Sequence, residues 1–393
     1  MSAARPEPQP QLDAIRGLAV LAVVIGHSIS PYLAVTPTVT NRVIIVFGVL
    51  LGLSFFPLSA YLLGQPMAAA LLSDSSPERF GSFMGRRVAR VVPAAWIAVI
   101  VSVWVVHSLA APDGWGEWLV VLGFSQEWRA EWLALGLSPM WTLGIEWLFY
   151  LALPLAALCG ARALPKAAGP ERRARLLMWA IAPMLIIGPA FRLSASVLGY
   201  QFMGVGDSVQ RWPFAFFDWI GIGLMLAVVR AGLHLGVPMP RPLSWLLERP
   251  RVIAGLMIAG LWLTYSTHLA LTPGSIALVP SILSSTILPW VSGLGVLALG
   301  FTTRDTPWLR VARTPALAWI ATVSFGVYLW HWAVLAMLHQ KIADLNSWPL
   351  MMRAGVLLAI SLMLGSLSYY GLERPIADWY SQRRRRLRAQ RSA

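Results

Sequence analysis

Charge is scarce in this chain of 393 residues. Only 12% of its side chains are Asp, Glu, Lys or Arg, about half the share of a soluble domain. Apolar residues make up 57%, and the mean hydropathy is +0.65. A single cysteine, Cys159, excludes an intramolecular disulfide and fits a small apolar helix residue. No His-x-x-x-His or Cys-x-x-Cys spacing is present, so no metal is expected. Neither a Gly-x-Ser-x-Gly elbow nor a Walker loop occurs. The net charge of +14 has no aromatic-interleaved soluble surface on which to act, which argues against nucleic acid as a partner.

What the chain does have is apolar blocks of about twenty residues, the length a helix needs to cross a bilayer. They predict an all-α, polytopic membrane protein with about ten transmembrane helices in one bundle. The expected spans lie near 13–33, 43–64, 88–109, 142–160, 177–199, 213–230, 252–270, 276–301, 317–338 and 351–371. The first contains Arg16 and His27 and lacks an Ala-x-Ala cleavage pattern, so it reads as an uncleaved span.

The connecting segments alternate in charge. Arginines crowd the loops around 79–90, 162–175, 230–251 and 304–313 and the tail at 383–391, whereas the opposite loops hold isolated basic residues such as Arg42, Arg129 and Arg211. By the positive-inside rule both termini are cytoplasmic. The expected organisation is a disordered N-terminus over 1–11, a membrane domain over 12–375 and a basic cytoplasmic tail over 376–393. The loop carrying Asp113, Glu117, Glu127 and Glu131 then faces outside. The twenty tryptophans serve mainly as interface anchors.

Four segments place ionisable groups where lipid makes them costly. In Leu12-Asp13-Ala14-Ile15-Arg16-Gly17, continuing to His27, the arginine and histidine are eleven residues apart. They face the same way, roughly 16 Å apart along the helix. Arg16 fits either an anion site or a snorkelling residue, whereas His27 lies deep in the span. Arg86, Arg87 and Arg90, at the entry to the third span, suit bidentate grip of phosphates and equally a plain topology signal. Glu146, in Trp141-Thr142-Leu143-Gly144-Ile145-Glu146, is either the partner of a buried cation or a helix-start carboxylate. Ser324, Tyr328 and His331 share one face of the ninth span. His27 and His331 should sit at similar depth, and His331 fits a substrate contact or an interhelical hydrogen bond equally well.

Together these segments resemble the acyltransferase-3 family of integral membrane acyltransferases, from residue 12 to residue 375. The opening resembles that family's Leu-Asp-x-x-Arg-Gly with Arg-x10-His. Phe55 to Ala60 is similar to its Phe-Phe-x-Leu-Ser-Gly, and Arg86 to Pro93 to its Arg-Arg-x-x-Arg-x-x-Pro. Trp141 to Glu146 resembles Trp-Ser-Leu-x-x-Glu, and Leu372-Glu373-Arg374-Pro375 the closing Glu-Arg-Pro. Ala60 and Thr142 replace the usual glycine and serine, and Trp147 stands where another acid is common.

The resemblance implies acyl transfer, commonly acetyl, from cytosolic acyl-CoA to a hydroxyl, by a stand-alone enzyme of the inner membrane without a fused hydrolase-like domain. The acceptor it implies is a cell-envelope glycan or its lipid-linked precursor, with a macrolide or other small molecule as the alternative. On this reading Arg16, Arg86, Arg87 and Arg90 bind the donor, and Trp141, Ser324, Tyr328 and His331 face the acceptor. His27 acts as general base or as acyl-carrying nucleophile, and Glu146 orients its imidazole. The competing class is a transporter or lipid flippase, in which the same buried groups would line a pathway.

Overall fold

The computed structural model describes residues 9–29, 39–107, 109, 111–199, 209–269, 278–302 and 307–392. These residues fold as a polytopic, all-α membrane bundle without strands. The helices are α1 (Pro10–Ile29), α2 (Val39–Leu53), α3 (Phe55–Leu72), α4 (Phe80–Trp104), α5 (Gly114–Leu122), α6 (Trp141–Ala163), α7 (Pro170–Ile181) and α8 (Met184–Gly199). They continue as α9 (Phe217–His234), α10 (Arg241–Leu247), α11 (Pro250–Leu269), α12 (Leu278–Phe301), α13 (Pro307–Ala312), α14 (Pro315–Lys341), α15 (Leu350–Ser368) and α16 (Arg374–Ser392).

Eight stretches among the described residues are long and apolar enough to cross a membrane. The two remaining expected spans fall on α11 and α12. Span ends at 30–33, 270 and 276–277, like Arg304 of one basic loop, lie outside the described residues. Large apolar side chains cover the outside of the bundle: Trp104, Trp179, Ile186, Ile258 and Trp262 are all more than half exposed. A water-soluble surface seldom carries so many, and lipid accepts them.

One boundary differs from the sequence reading. Helix α1 already begins at Pro10, a residue whose missing N–H is no loss in a first helical turn. Residues 1–8 of the expected disordered terminus lie outside the described residues. The stretch expected as the basic tail is helical. It forms α16, which packs on α4 through Tyr380 against Gly85 and Arg384 against Ser82.

Because lipid offers no hydrophobic gain for helix association, close packing must come from small residues and polar contacts. Helices α14 and α15 meet at paired glycines, where a Cβ on Gly326 would lie 2.6 Å from the Gly365 carbonyl oxygen. Helix α1 is held between α2 and α14, and α9 packs along α3. The segment spanning α2 and α3 breaks at Ser54, whose Oγ donates to the Leu50 carbonyl and accepts from Ser292 of α12 at 2.8 Å.

Some of the arginines counted as topology signals are structural. Arg173 is buried and donates to the carbonyls of Ala168, Leu71, Pro165 and Lys166 while pairing with Asp74 at 2.9 Å. Only a guanidinium has enough donors for that set. Between α8 and α9, Arg192 forms a two-pronged ion pair with Asp218 at 2.9 and 2.6 Å and also donates to the Ala215 carbonyl. Asp218 is 1% exposed.

Candidate active site

Helices α1, α2, α3, α4, α6 and α14 line a cavity of about 410 Å³. Its wall carries Arg16, His27, Arg87, Arg90, Glu146 and Tyr328, together with Ser59, Trp141, Tyr150 and Ser324. Apart from Arg86 and His331, every residue singled out in the sequence therefore lines one space. The spacing of Arg16 and His27 along α1 runs the cavity lengthwise, with arginines toward one end and the histidine toward the other.

His331 is fully buried behind His27 rather than on the wall. Its Nδ1 lies 2.6 Å from its own helix's Tyr328 carbonyl oxygen, and its Nε2 lies 3.0 Å from His27 Nδ1. A nitrogen against a carbonyl must carry the proton, so neutral His331 presents its Nε2 lone pair to His27. His27 Nδ1 then donates to it, and the His27 ring is also hydrogen-bonded to the backbone of Val23. The network thus assigns a lone pair to His27 Nε2. The equal depth expected for the two histidines is met, with their rings stacked at 5.0 Å.

Glu146 sits elsewhere. It accepts from Ser59 at 2.8 Å and from Tyr150, one turn further along α6. Its charge reaches Arg16 and Arg87. No hydrogen bond among the described residues joins Glu146 to His27, whose imidazole is bonded to His331 instead; Glu146 lies with the arginine cluster. Arg87 also lies over the Tyr150 and Phe83 rings at 5.6 and 5.5 Å.

Arg86 points out of the cavity and forms a two-pronged pair with Glu78. Burial opposes charge on Glu78, but hydrogen bonds from Arg86 and Ser82 and the charges of Arg86 and Arg384 outweigh it, holding the carboxyl below its ordinary value. Of the four arginines expected to meet the donor, Arg16, Arg87 and Arg90 line the cavity and Arg86 does not. Arg16 is also paired with Asp13 at 3.2 Å.

At the other end Tyr328 donates to the Pro139 carbonyl and is 2.8 Å from the Thr142 hydroxyl, tying α14 to the start of α6. Trp141 packs on Phe216 with the Arg211 guanidinium 5.8 Å from its ring. The sequence reading assigned no role to Ser59 or Tyr150. Tyr150 was within reach, being i+4 from Glu146 and so on its face. Ser59 is 87 positions from Glu146, and no local pattern joins them.

Above the start of α6, the expected outer loop tucks Glu127 fully inside. Its carboxyl oxygens have no hydrogen bond to another residue among the described residues, and it packs against Gly144. Burial pushes this carboxyl up from 4.5 to about 7, with only its own backbone N–H opposing. A folded-state value above the unfolded one means that the stabilising protonated form is fully present below about 4.5 and is lost as pH rises through 7. Thermal stability of the purified protein should therefore fall between those values. Glu127→Gln should abolish that decline, whose steepest slope is about 1.4 kcal/mol per pH unit.

The folded class is thus a polytopic membrane bundle with a histidine pair at one end of a cationic cavity and no group of metal ligands among the described residues. The chain belongs to the acyltransferase-3 family, whose profile, described as an acyltransferase domain, matches residues 9–369.

Among curated proteins it is 25% identical to "Putative peptidoglycan O-acetyltransferase YrhL" of Bacillus subtilis, over 93% of this chain and 54% of that protein. It is 23% identical to "Peptidoglycan O-acetyltransferase OatA" of Listeria monocytogenes, over 93% of this chain and 55% of that protein. The chain spans about half the length of these relatives. No solved structure matches it at a significant level.

Proposed function

We propose that the chain is an integral membrane O-acyltransferase that moves an acyl group, acetyl above all, from acyl-CoA to a sugar hydroxyl of the cell envelope. Family membership and the O-acetyltransferase names of the relatives support the reaction class. The observation that carries the chemistry is the His27–His331 pair, which leaves His27 Nε2 as a base in a largely apolar cavity whose other charged groups are three arginines and Glu146.

Three arginines face that cavity against one carboxylate, Glu146, an excess of positive charge suited to the phosphates of CoA. In the proposed reaction His27 Nε2 takes the proton of the acceptor hydroxyl as its oxygen attacks the thioester carbonyl. The tetrahedral intermediate collapses by breaking the C–S bond, and the leaving thiolate takes the proton back from His27. While the imidazole is charged, its Nδ1–H remains bonded to His331. The alternating loop charges support an orientation in which the arginine end and both termini lie on the cytoplasmic side of the inner membrane and the Trp141 end lies outside.

The test uses purified protein in nanodiscs, [14C]acetyl-CoA and a peptidoglycan fragment, with free thiol and O-acetyl sugar both measured. Equal amounts of thiol and ester are expected. A folded protein that neither binds a nonhydrolysable acetyl-CoA analogue nor releases thiol would return the site to the transporter class.

A further inference from the structure

The basic tail helix and Arg86 have no part in the chemistry above, yet both are fixed in place. Between α15 and α16, Tyr369–Glu373 form a π turn, in which the Arg374 N–H bonds the Tyr369 carbonyl, five residues back, and Glu373 turns into the bundle at 5% exposure. Pro375 supplies a physical reason for the break: it has no N–H to offer the Gly371 carbonyl. Helix α4 packs on this turn and on α16 beyond it.

The seat on α4 is specific. Tyr380 fills a notch at Gly85, where an added Cβ would lie 2.7 Å from Tyr380 Cζ. One turn further on, Arg384 donates to Ser82 Oγ, and its guanidinium lies 4.0 Å from Glu78. Glu78 also accepts from Ser82 at 2.6 Å and holds Arg86 by both prongs. Arg86, turned away from the cavity, thus belongs to the fastening of the tail. From Tyr380 to Arg384 the contacts step back along α4, from Gly85 to Ser82 and Glu78. The two helices therefore run antiparallel, and α16 continues past the start of α4 at Phe80.

This projecting end is crowded with positive charge. Arg383, Arg385 and Arg386 are exposed, and Arg383 is propped over the Trp379 ring at 5.3 Å. Like charges three residues apart on a helix repel, and a topology signal needs only charge, with no fixed seat. Ser82, where the tail is fastened, precedes Arg87 of the cavity wall by five residues, about 7.5 Å along the helix. That is close to the roughly 8 Å over which charge acts at physiological salt.

We propose that α16, seated on α4 through Gly85, Glu78 and Arg86, is a capture surface for the anionic donor, its exposed arginines drawing the nucleotide phosphates toward Arg87 and Arg90. The proposal rests on the acyl-CoA reading. Steering of this kind speeds association and leaves dissociation largely alone.

The test uses the full chain in phosphatidylcholine nanodiscs and follows binding of the nonhydrolysable acetyl-CoA analogue by stopped flow at low and high salt. In the triple variant Arg383→Gln, Arg385→Gln, Arg386→Gln, association at low salt should slow about three- to tenfold. Its dissociation rate should stay within about twofold of wild type, and the difference in association should vanish at high salt. Gly85→Val, which keeps every charge but leaves Tyr380 no room, should slow association in the same direction. The triple variant changes only exposed side chains and serves where Gly85→Val does not fold.

Equal association rates for wild type and the triple variant would overturn the proposal. A difference confined to discs containing phosphatidylglycerol would overturn it too, by giving the arginines to lipid headgroups. A folded Gly85→Val protein that associates as fast as wild type would refute the role of the seat. A wild type that binds no analogue would overturn the acyl-CoA reading first and the capture surface with it, an outcome visible before any variant is compared.

Discussion

His27→Ala is expected to lower acyl transfer by about 10²–10⁴-fold, the usual worth of a positioned general base, while leaving binding of the acyl-CoA analogue close to that of wild type. The expectation follows from the division of the cavity. The cationic groups that favour an anion are Arg16, Arg87 and Arg90, whereas His27 Nε2 is the open basic nitrogen that the hydrogen-bond network defines. His331→Ala should cost less, because the His27 ring keeps its hydrogen bond to the backbone of Val23. Its loss should fall on the rate constant rather than on donor affinity, since His331 does not reach the cavity wall. Single-turnover kinetics with acetyl-CoA separate the two quantities. If His27→Ala lost binding and turnover together, with the protein folded, the histidine would be part of the binding site rather than the base.

Arg192→Ala should be the most destabilising single substitution among the sites described. It strands Asp218, which is 1% exposed between α8 and α9, and removes the donor to the Ala215 carbonyl. Breaking a buried pair from one side costs about 3–5 kcal/mol, a large part of the total stability of a typical domain. Arg192→Lys should recover only part of that, because an ammonium cannot satisfy both carboxylate oxygens and the carbonyl in one plane. Replacing both partners by apolar residues, Arg192→Met with Asp218→Leu, should restore most of the stability by leaving no charge unmatched. Thermal unfolding in one detergent across the series measures this. A double variant as unstable as Arg192→Ala would show that shape rather than charge compensation governs the site.

The membrane architecture was legible because lipid imposes a length and a polarity on every span. Apolar blocks and alternating arginine loops recovered the helices without any tertiary information. The same economy marked the site: a histidine or glutamate inside a span is costly enough to be noticed. Thus Arg16, His27, Arg87, Arg90 and Glu146, on three different helices, were all singled out before their convergence was visible. Equal depth could be counted from helix starts, and the His27–His331 contact bears it out.

Partnership was not legible, because it depends on how helices rotate and pack. Glu146 was matched to His27 by the logic of catalytic triads, but the fold turns it toward Ser59, Tyr150 and the arginines and gives the imidazole to His331. Arg86, adjacent in sequence to Arg87, points about 100° round the helix from it and meets Glu78 instead of the cavity. The buried Glu127 and the inward turn at Glu373 left no sequence signal of their surroundings, since burial in a loop or behind a π turn is a property of neighbours far along the chain.

By itself, then, the sequence determined that this protein crosses the membrane many times and which ionisable groups it carries into the bilayer, because transfer into hydrocarbon is a cost paid residue by residue. Only the tertiary structure decided which of those groups face one another, because hydrogen bonds and ion pairs act over about 3 Å, and helix packing alone sets distances that short.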